Sequence, residues 1–208
     1  MTAQQAAARQ APRFSFRFSA RDLLSTAIFA VIFIVVGYAI GMLGLISPVT
    51  WLLVVPLGAL VNGITFMLFV TRVKHAGMVT LFALIVALFY LIGGNNLLST
   101  AGVVLVGVIA DLVLSVGRYH SRRAAIGSYT VLGLAYGTPF LPLFIDRDSY
   151  FNTADWEQMG EEYRRGAELL LSPQVVVIFA IGLVVASFLG GLLGAAMLKK
   201  HFVKAGLA

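Results

Sequence analysis

The sequence predicts an all-α integral membrane protein, a single bundle of six transmembrane helices. Hydrophobic residues make up 60% of the 208 residues and charged residues only 12%, with a mean hydropathy of +0.94. A soluble chain of this length could not bury so much apolar surface. Six segments are also apolar over about the 20 residues that a membrane-spanning helix needs. Basic residues, finally, are concentrated in alternate connectors, as in multi-pass membrane proteins.

The predicted spans divide the chain into a short tail and one membrane domain. Residues 1–18 are expected to form a flexible N-terminal tail without a removable signal peptide, and residues 19–208 the membrane domain. Because cysteine is absent, disulfides and thiolate metal sites are excluded. The six spans, of which the third and fourth are shorter than the rest, are residues 22–46, 49–70, 77–93, 101–117, 124–145 and 173–198.

The connector charges predict an orientation. Lys and Arg precede the first span and follow the second, fourth and sixth, whereas "GLISPVT" and "GGNNLLST" carry no charge. Short loops rich in Lys and Arg remain on the cytoplasmic side, so both termini are predicted to be cytoplasmic. The net charge of +6 then belongs to the inner surface and its lipid headgroups, and does not indicate nucleic-acid binding.

The fifth span ends at an abrupt charged edge. In "GTPFLPLFIDRDSYF" the apolar run gives way to Asp146, Arg147 and Asp148, which begin a long outer loop over residues 146–172. Its apolar side chains have helical spacing, which predicts an amphipathic helix on the outer face. Two interpretations remain open, a lid and a solvated connector. The apolar residues of this predicted helix are Trp156, Met159, Tyr163, Ala167 and Leu170.

Polar chemistry inside the spans is sparse. Asp111 is the clear intramembrane ionisable residue, and we expect a structural partner for the basic loops rather than an ion or proton site. The three histidines fall at cytoplasmic ends, so no catalytic or metal-ligating set can be assembled. The sequence therefore predicts neither an enzyme nor a bound cofactor or metal. Without a charged relay or an internal repeat, any transport energy is expected to come from another subunit.

Several stretches resemble one membrane-protein family over nearly the whole chain beyond about residue 18. They are "GMLG", "FMLFVTRVKHAGMVTL", "ADLVLSVGRY", "TPFLPLFIDRDSYF" and "LLGAAMLKKHFVKAGLA", in that order. With six spans and an outer loop after each odd helix, the chain resembles the Trep_Strep (MptD-type) family, classed among the substrate-binding S components of energy-coupling factor (ECF) transporters. The resemblance implies binding of a vitamin-like or other trace nutrient outside and delivery with a transmembrane coupling subunit and two cytoplasmic ATPases.

Pockets of S components are built from the outer halves of helices four to six and closed by the first, third and fifth loops. The corresponding outer aromatic, amide and basic groups suit a flat or amphiphilic organic molecule with an anionic group, such as a vitamin, an iron chelate or a tetrapyrrole. Interfacial anchoring is the alternative role for each Trp and Tyr. The candidate substrate-binding residues are Trp51, Tyr90, Asn95, Asn96, Tyr136, Arg147, Tyr150 and Trp156.

The resemblance also implies a docking position for the coupling subunit. S components present small residues four apart on the first helix, and this chain has Thr26 and Ala30 at that spacing, with Ala27 adjacent. The family's pair is typically Ala and Ala, so Thr26 departs from it. Two other functional classes stay open: a self-sufficient carrier or channel, and a membrane enzyme that depends on Asp111.

Overall fold

The computed structural model describes residues 19–199, and no strand occurs in that range. The predicted tail over residues 1–18 lies outside the described residues, as does the chain from residue 200 onward. Two 3-10 segments, Met42–Ile46 and Gly133–Phe144, directly continue α1 and α5. The α-helices are α1 Ala20–Gly41, α2 Pro48–Arg72, α3 Met78–Ile92, α4 Leu97–Val116, α5 Arg122–Leu132, α6 Arg147–Phe151, α7 Ala154–Met159, α8 Glu161–Leu170 and α9 Pro173–Met197.

The long apolar helices make this a multi-pass membrane protein. Four helical segments are long and apolar enough to cross a membrane: Ala20–Ile46, Pro48–Arg72, Leu97–Val116 and Pro173–Met197. The other two predicted spans are helical too, but α3 has only 15 residues, about 22 Å. The fifth combines 11 α-helical and 12 3-10 residues, which together extend about 40 Å.

Proline and tight packing explain the 3-10 stretch. Pro139 and Pro142 have no N–H to donate, so regular α-helical hydrogen bonding cannot continue through Gly133–Phe144. At its start, Gly133 packs against α9 so closely that a Cβ would lie 1.7 Å from Ser187 Oγ. The hydroxyl of Thr138 donates to the Ala135 carbonyl at 2.9 Å. This local bond satisfies one of the carbonyls that the interrupted helix leaves unpaired.

Side-chain caps define where the helices begin. Ser19 and Asp22 form a capping box at the start of α1. Ser47 and Ser172 cap α2 and α9, each followed by a proline in the first turn, where the missing N–H costs nothing. In these three places a serine side chain accepts a hydrogen bond from a backbone N–H in the first turn of the helix that follows.

Glycines bring α2 and α9 into backbone contact at the centre of the bundle. A Cβ on Gly63 would lie 2.2 Å from the Gly190 carbonyl carbon, and one on Gly194 would lie 2.7 Å from the Gly63 oxygen. Helices in lipid associate through such close approach, because apolar burial gives no driving force there. α1 packs on α2 and α5 on α9, whereas α3 and α4 pack on each other and on α1 and α5.

The outward faces are apolar. Leu24, Val35, Leu105 and Ile178 are more than half exposed, on α1, α4 and α9. A soluble protein does not leave such extended apolar faces in water, whereas hydrocarbon covers them without cost. Together with the span lengths, these faces place the bundle within a membrane.

Candidate ligand-binding site

The segment between the 3-10 stretch Gly133–Phe144 and α9 forms three short helices, α6 to α8. The sequence predicted a single amphipathic helix there. The break falls at Gly160, whose φ of 89° and ψ of 155° are accessible in practice only to glycine. It turns α8 relative to α7, so Trp156 and Ala167 are buried while Met159 is 41% exposed. Within α8, Arg164 pairs with Glu168 one turn later at 3.8 Å, and no ion pair between Glu161 and Arg165 occurs among the described residues.

The α6–α8 segment covers one end of the bundle. The Tyr163 hydroxyl donates to the Gly44 carbonyl at 2.9 Å, which fastens α8 to the connector after α1. Partial burial raises the pKa of Tyr163, so this hydroxyl stays protonated and can donate. The Asp155 carboxylate reaches the α3–α4 connector, within 3.4 Å of where a Cβ on Gly94 would stand. The segment therefore contacts two connectors distant in sequence.

Beneath the segment lies a continuous set of aromatic rings, the aromatic cluster. Trp156 meets Trp51 with ring centroids 6.0 Å apart and Tyr150 at 5.7 Å, and Trp51 meets Phe140 at 5.0 Å. These rings come from α2, the 3-10 stretch, α6 and α7, so the fold unites three of the predicted ligand residues. The full cluster is Trp51, Phe140, Tyr150, Phe151, Trp156, Tyr163 and Phe179.

Arg147 has a structural position beside this cluster. Its guanidinium donates to the backbone carbonyls of Glu168 and Leu171 at the end of α8, and it lies 5.2 Å from the ring centroid of Phe151. No ion pair with Asp146 or Asp148 occurs among the described residues. The side chain that was expected to bind an anionic group thus fastens α8 to the start of α6. A groove of about 350 Å³ lies at this junction.

The amide residues of the α3–α4 connector differ in their availability. Asn96 is exposed and caps α4, accepting from the Ser99 N–H at 2.8 Å. Asn95 is partly buried, next to the glycine that Asp155 approaches. Tyr90 lies one turn before this connector, partly buried against the core. The geometry leaves the side chain of Asn95 nearer to the covered end than that of Asn96.

Asn62 is a buried polar residue that the sequence analysis did not single out. It is fully buried in α2, and its Nδ2 donates to the Phe33 carbonyl at 2.9 Å and to the Tyr136 hydroxyl at 2.6 Å. Among the described residues, Oδ1 has no hydrogen-bond donor. The sequence did indicate this residue, as a single amide in the apolar run "ALVNGITF". It was not predicted because the search for polar groups in the spans considered only ionisable residues.

Asp111 has a hydrogen-bonding role at the opposite end of the bundle. It is 5% exposed; Oδ2 accepts from the N–H and the hydroxyl of Thr80, and Oδ1 from the Tyr119 hydroxyl at 3.0 Å. The Thr80 N–H is one of the unpaired donors in the first turn of α3, so the carboxylate caps that helix from α4. Tyr119 lies in the basic α4–α5 connector, but no ion pair between Asp111 and a basic side chain occurs among the described residues.

The two small residues of the predicted docking pair on α1 do not lie at the surface of the bundle. Thr26 and Ala30 are both fully buried, and Ala27 is partly buried. The Thr26 hydroxyl donates to the Asp22 carbonyl, and Ala30 belongs to the main core. Small residues serve internal packing as readily as external docking, and here they admit α2 and α3. A partner could not contact either residue in this conformation.

Comparison with known families decides the chain's membership. The family model described as "Hypothetical bacterial integral membrane protein (Trep_Strep)" matches residues 20–204. The chain belongs to the Trep_Strep family. This Trep_Strep protein is accordingly a bacterial integral membrane protein, in agreement with the apolar helices and exposed faces described above. No curated protein and no solved structure matches the chain significantly.

Proposed function

We propose that this Trep_Strep protein is the substrate-binding membrane subunit, the S component, of an ECF-type ATP-driven importer. One observation carries the proposal: the α6–α8 segment folds over an aromatic cluster at the end of the bundle and contacts both connectors there. Aromatic faces under a movable cover are a common way to enclose a flat organic molecule. Removing the cover would open the cluster to the side from which a nutrient arrives.

The proposal includes six spans, with both termini in the cytoplasm and the α6–α8 segment outside a bacterial inner membrane. The α2–α3 and α4–α5 connectors are basic, and basic connectors favour the cytoplasmic side. The His75 ring lies 3.5 Å from the Asp22 carboxylate, so the start of α1 belongs to the same end as the α2–α3 connector. On this topology, α3 and the combined α5 and 3-10 stretch are the third and fifth spans.

The energy source is proposed to be a coupling subunit with two cytoplasmic ATPases. Asp111 is the one buried charged residue in residues 19–199, and three hydrogen bonds already occupy its carboxylate. Coupled carriers and proton pumps use chains of such groups near the middle of the membrane. Because the one buried carboxylate of the described residues is already hydrogen-bonded, it is poorly suited to carry a coupling ion or proton. This supports transport driven by ATP hydrolysis in partner subunits.

The proposed cargo is a vitamin-like micronutrient, an iron chelate or a tetrapyrrole. Aromatic rings dominate the covered end, and they stack on flat conjugated molecules at 4.5 to 7 Å between centroids. The proposed role is capture and delivery without chemical change, so the protein is not proposed as an enzyme. The residues of the aromatic cluster would then contribute to ligand binding and not to a chemical reaction.

Co-purification and uptake test the proposal together. The tagged chain is expressed with a coupling subunit and two ATPases from its own host, and the detergent-solubilised complex is analysed by mass spectrometry for proteins and small molecules. We expect all four subunits and one co-purifying organic molecule, whose uptake into cells requires an intact ATPase. Proteoliposomes that contain the chain alone should not accumulate the same molecule.

A self-sufficient carrier or channel is the alternative transport function. It predicts flux of the co-purifying molecule through proteoliposomes that contain this chain alone. A membrane enzyme would instead convert that molecule in detergent and would lose turnover on replacement of Asp111. Either result would replace the S-component proposal.

A further inference from the structure

The carboxamide of Asn62 has an unused acceptor in the middle of the bundle. Nδ2 donates both of its hydrogens, to Phe33 and Tyr136, but no described residue donates to Oδ1 although the side chain is fully buried. A buried polar atom without a partner is costly, and natural proteins rarely leave one without a reason. Asn62 lies fourteen residues after the first residue of α2, about 21 Å along the helix.

The orientation of this amide is fixed by its neighbour. The Phe33 carbonyl can only accept, so the NH₂ group must face it, and the oxygen cannot exchange places with it. The other three buried unpartnered side-chain atoms in the described residues are hydroxyls of Ser99, Ser128 and Ser187. A serine in a helix can rotate its hydroxyl to donate to the carbonyl one turn back. An amide oxygen can only accept, so a backbone carbonyl cannot be its partner.

Tyr136 connects this amide to the aromatic cluster. Its ring packs both on the main core and on the core beneath the α6–α8 segment, and its hydroxyl accepts from Asn62. On the facing helix, Gly37 leaves the group room: a Cβ there would stand 3.0 Å from the Tyr136 hydroxyl and 3.1 Å from Nδ2. A displacement of the Tyr136 ring would therefore open the amide to the cluster above it.

We propose that Asn62 Oδ1 is the inner hydrogen-bond acceptor of the ligand site and takes an uncharged N–H or O–H group of the transported molecule. This inference rests on the proposed function, since it requires a small molecule to enter from the α6–α8 end. No charged side chain belongs to the group of Phe33, Gly37, Asn62 and Tyr136, so an ionised ligand end would lack compensation there. The aromatic cluster would stack on the remainder of the ligand.

Single cysteines test the inference, because the chain has none of its own. The purified protein carrying Asn62→Cys, Tyr136→Cys, Ser187→Cys or Asn96→Cys is reconstituted and treated with two methanethiosulfonates, neutral hydroxyethyl and anionic sulfonatoethyl. Ser187 is the matched control: fully buried, without a partner, and fourteen residues from the start of α9. Asn96 is the exposed reference for reagent reactivity.

We expect the neutral reagent to modify the cysteines at positions 62 and 136 but not the one at 187. Relative to position 96, the anionic reagent should react at least tenfold more slowly than the neutral one at positions 62 and 136. If both of these positions were as unreactive as position 187, Asn62 would be a purely structural residue. Equal relative rates with both reagents would remove the preference for an uncharged group. Reactivity as expected in a chain that transports alone would preserve this site while overturning the S-component function.

Discussion

Two charged side chains, the buried Asp111 and the partly buried Arg147, donate to or accept from backbone groups. Arg147 donates to two carbonyls at the end of α8, and Asp111 accepts from the first turn of α3. Both compensate helix ends, where four backbone groups lack partners and the helix dipole concentrates charge of the opposite sign. The charge of Arg147 suggested ligand binding, whereas the contacts of both residues are those of helix caps.

Replacement of Arg147 should loosen the α6–α8 segment. Arg147→Ala removes the donors that hold the α8 carbonyls, bonds to a charged group worth about 1.5 to 3 kcal/mol before screening. We expect proteinase K to cleave within residues 152–171 at least fivefold faster, with Arg147→Lys intermediate, because an ammonium lacks the two-pronged geometry. Unchanged cleavage combined with at least tenfold weaker retention of the co-purifying molecule would instead place Arg147 in the ligand site.

Replacement of Asp111 should cost stability and spare transport. Asp111→Ala removes the acceptor of the Thr80 N–H and hydroxyl and of the Tyr119 hydroxyl, so donors inside the bundle are left unpaired, at about 1 to 3 kcal/mol. The expected result is a lower Tm in detergent, with uptake per folded molecule unchanged across external pH. Loss of uptake at an unchanged Tm would identify Asp111 as an ion site and favour the stand-alone carrier.

At the scale of elements, irregular backbone is concentrated at the end of the bundle that the α6–α8 segment covers. The fifth helix changes from α to 3-10 geometry at Gly133, and the following segment breaks into three helices, at Asn152–Thr153 and at Gly160. By contrast, α2 and α9 each run for 25 residues. The α6–α8 segment therefore consists of short helices, whereas the pair of helices beside it is long and continuous.

The junction between α7 and α8 should depend on glycine at position 160. Gly160→Ala meets no neighbour within 4 Å, so its effect is purely one of backbone strain, about 1 to 3 kcal/mol. Gly166→Ala is the matched control, because Gly166 lies inside α8 and its Cβ would make ordinary contact with Pro48 of α2. Alanine at this position should stabilise α8 by about 0.5 to 1 kcal/mol. Amide hydrogen exchange should show faster exchange in α7 and α8 for the first variant only. Equal exchange in both would mean that the junction tolerates another conformation.

At the scale of the whole molecule, the two ends of the bundle are chemically different. One end has the basic connectors and Asp111, and the other has the aromatic cluster beneath α6 to α8. The bundle between them is held by close backbone packing of α2 on α9. Such an asymmetric bundle suits a protein that faces a nutrient on one side and partner subunits on the other.

Topology reporters test the orientation of these ends. Fusions within residues 118–123 and after Leu198 should report a cytoplasmic position, and fusions within residues 152–171 an external one. The physical reason is the concentration of Lys and Arg in the first two regions. Alkaline phosphatase and green fluorescent protein activities provide the paired measurement. A cytoplasmic position for residues 152–171 would contradict the six-span arrangement.

The sequence by itself determined the membrane environment, the helical segments and the family. These follow from local properties, namely apolar length, connector charge and ordered motifs, and the observed helices coincide with all six predicted segments. It also identified the rings of Trp51, Tyr150 and Trp156 as candidate site residues, because an aromatic side chain near a span end is visible without knowledge of its neighbours.

Only the tertiary structure decided which face of each helix is internal. Thr26 and Ala30 have the spacing of a docking pair, yet they are buried against α2 and α3, since small residues permit close approach on either side. Arg147 likewise has the charge to bind an anion but lies within reach of two carbonyls 21 and 24 residues away. The unpartnered oxygen of Asn62 emerged last, because a missing hydrogen bond depends on every neighbour in space and leaves no pattern along the chain.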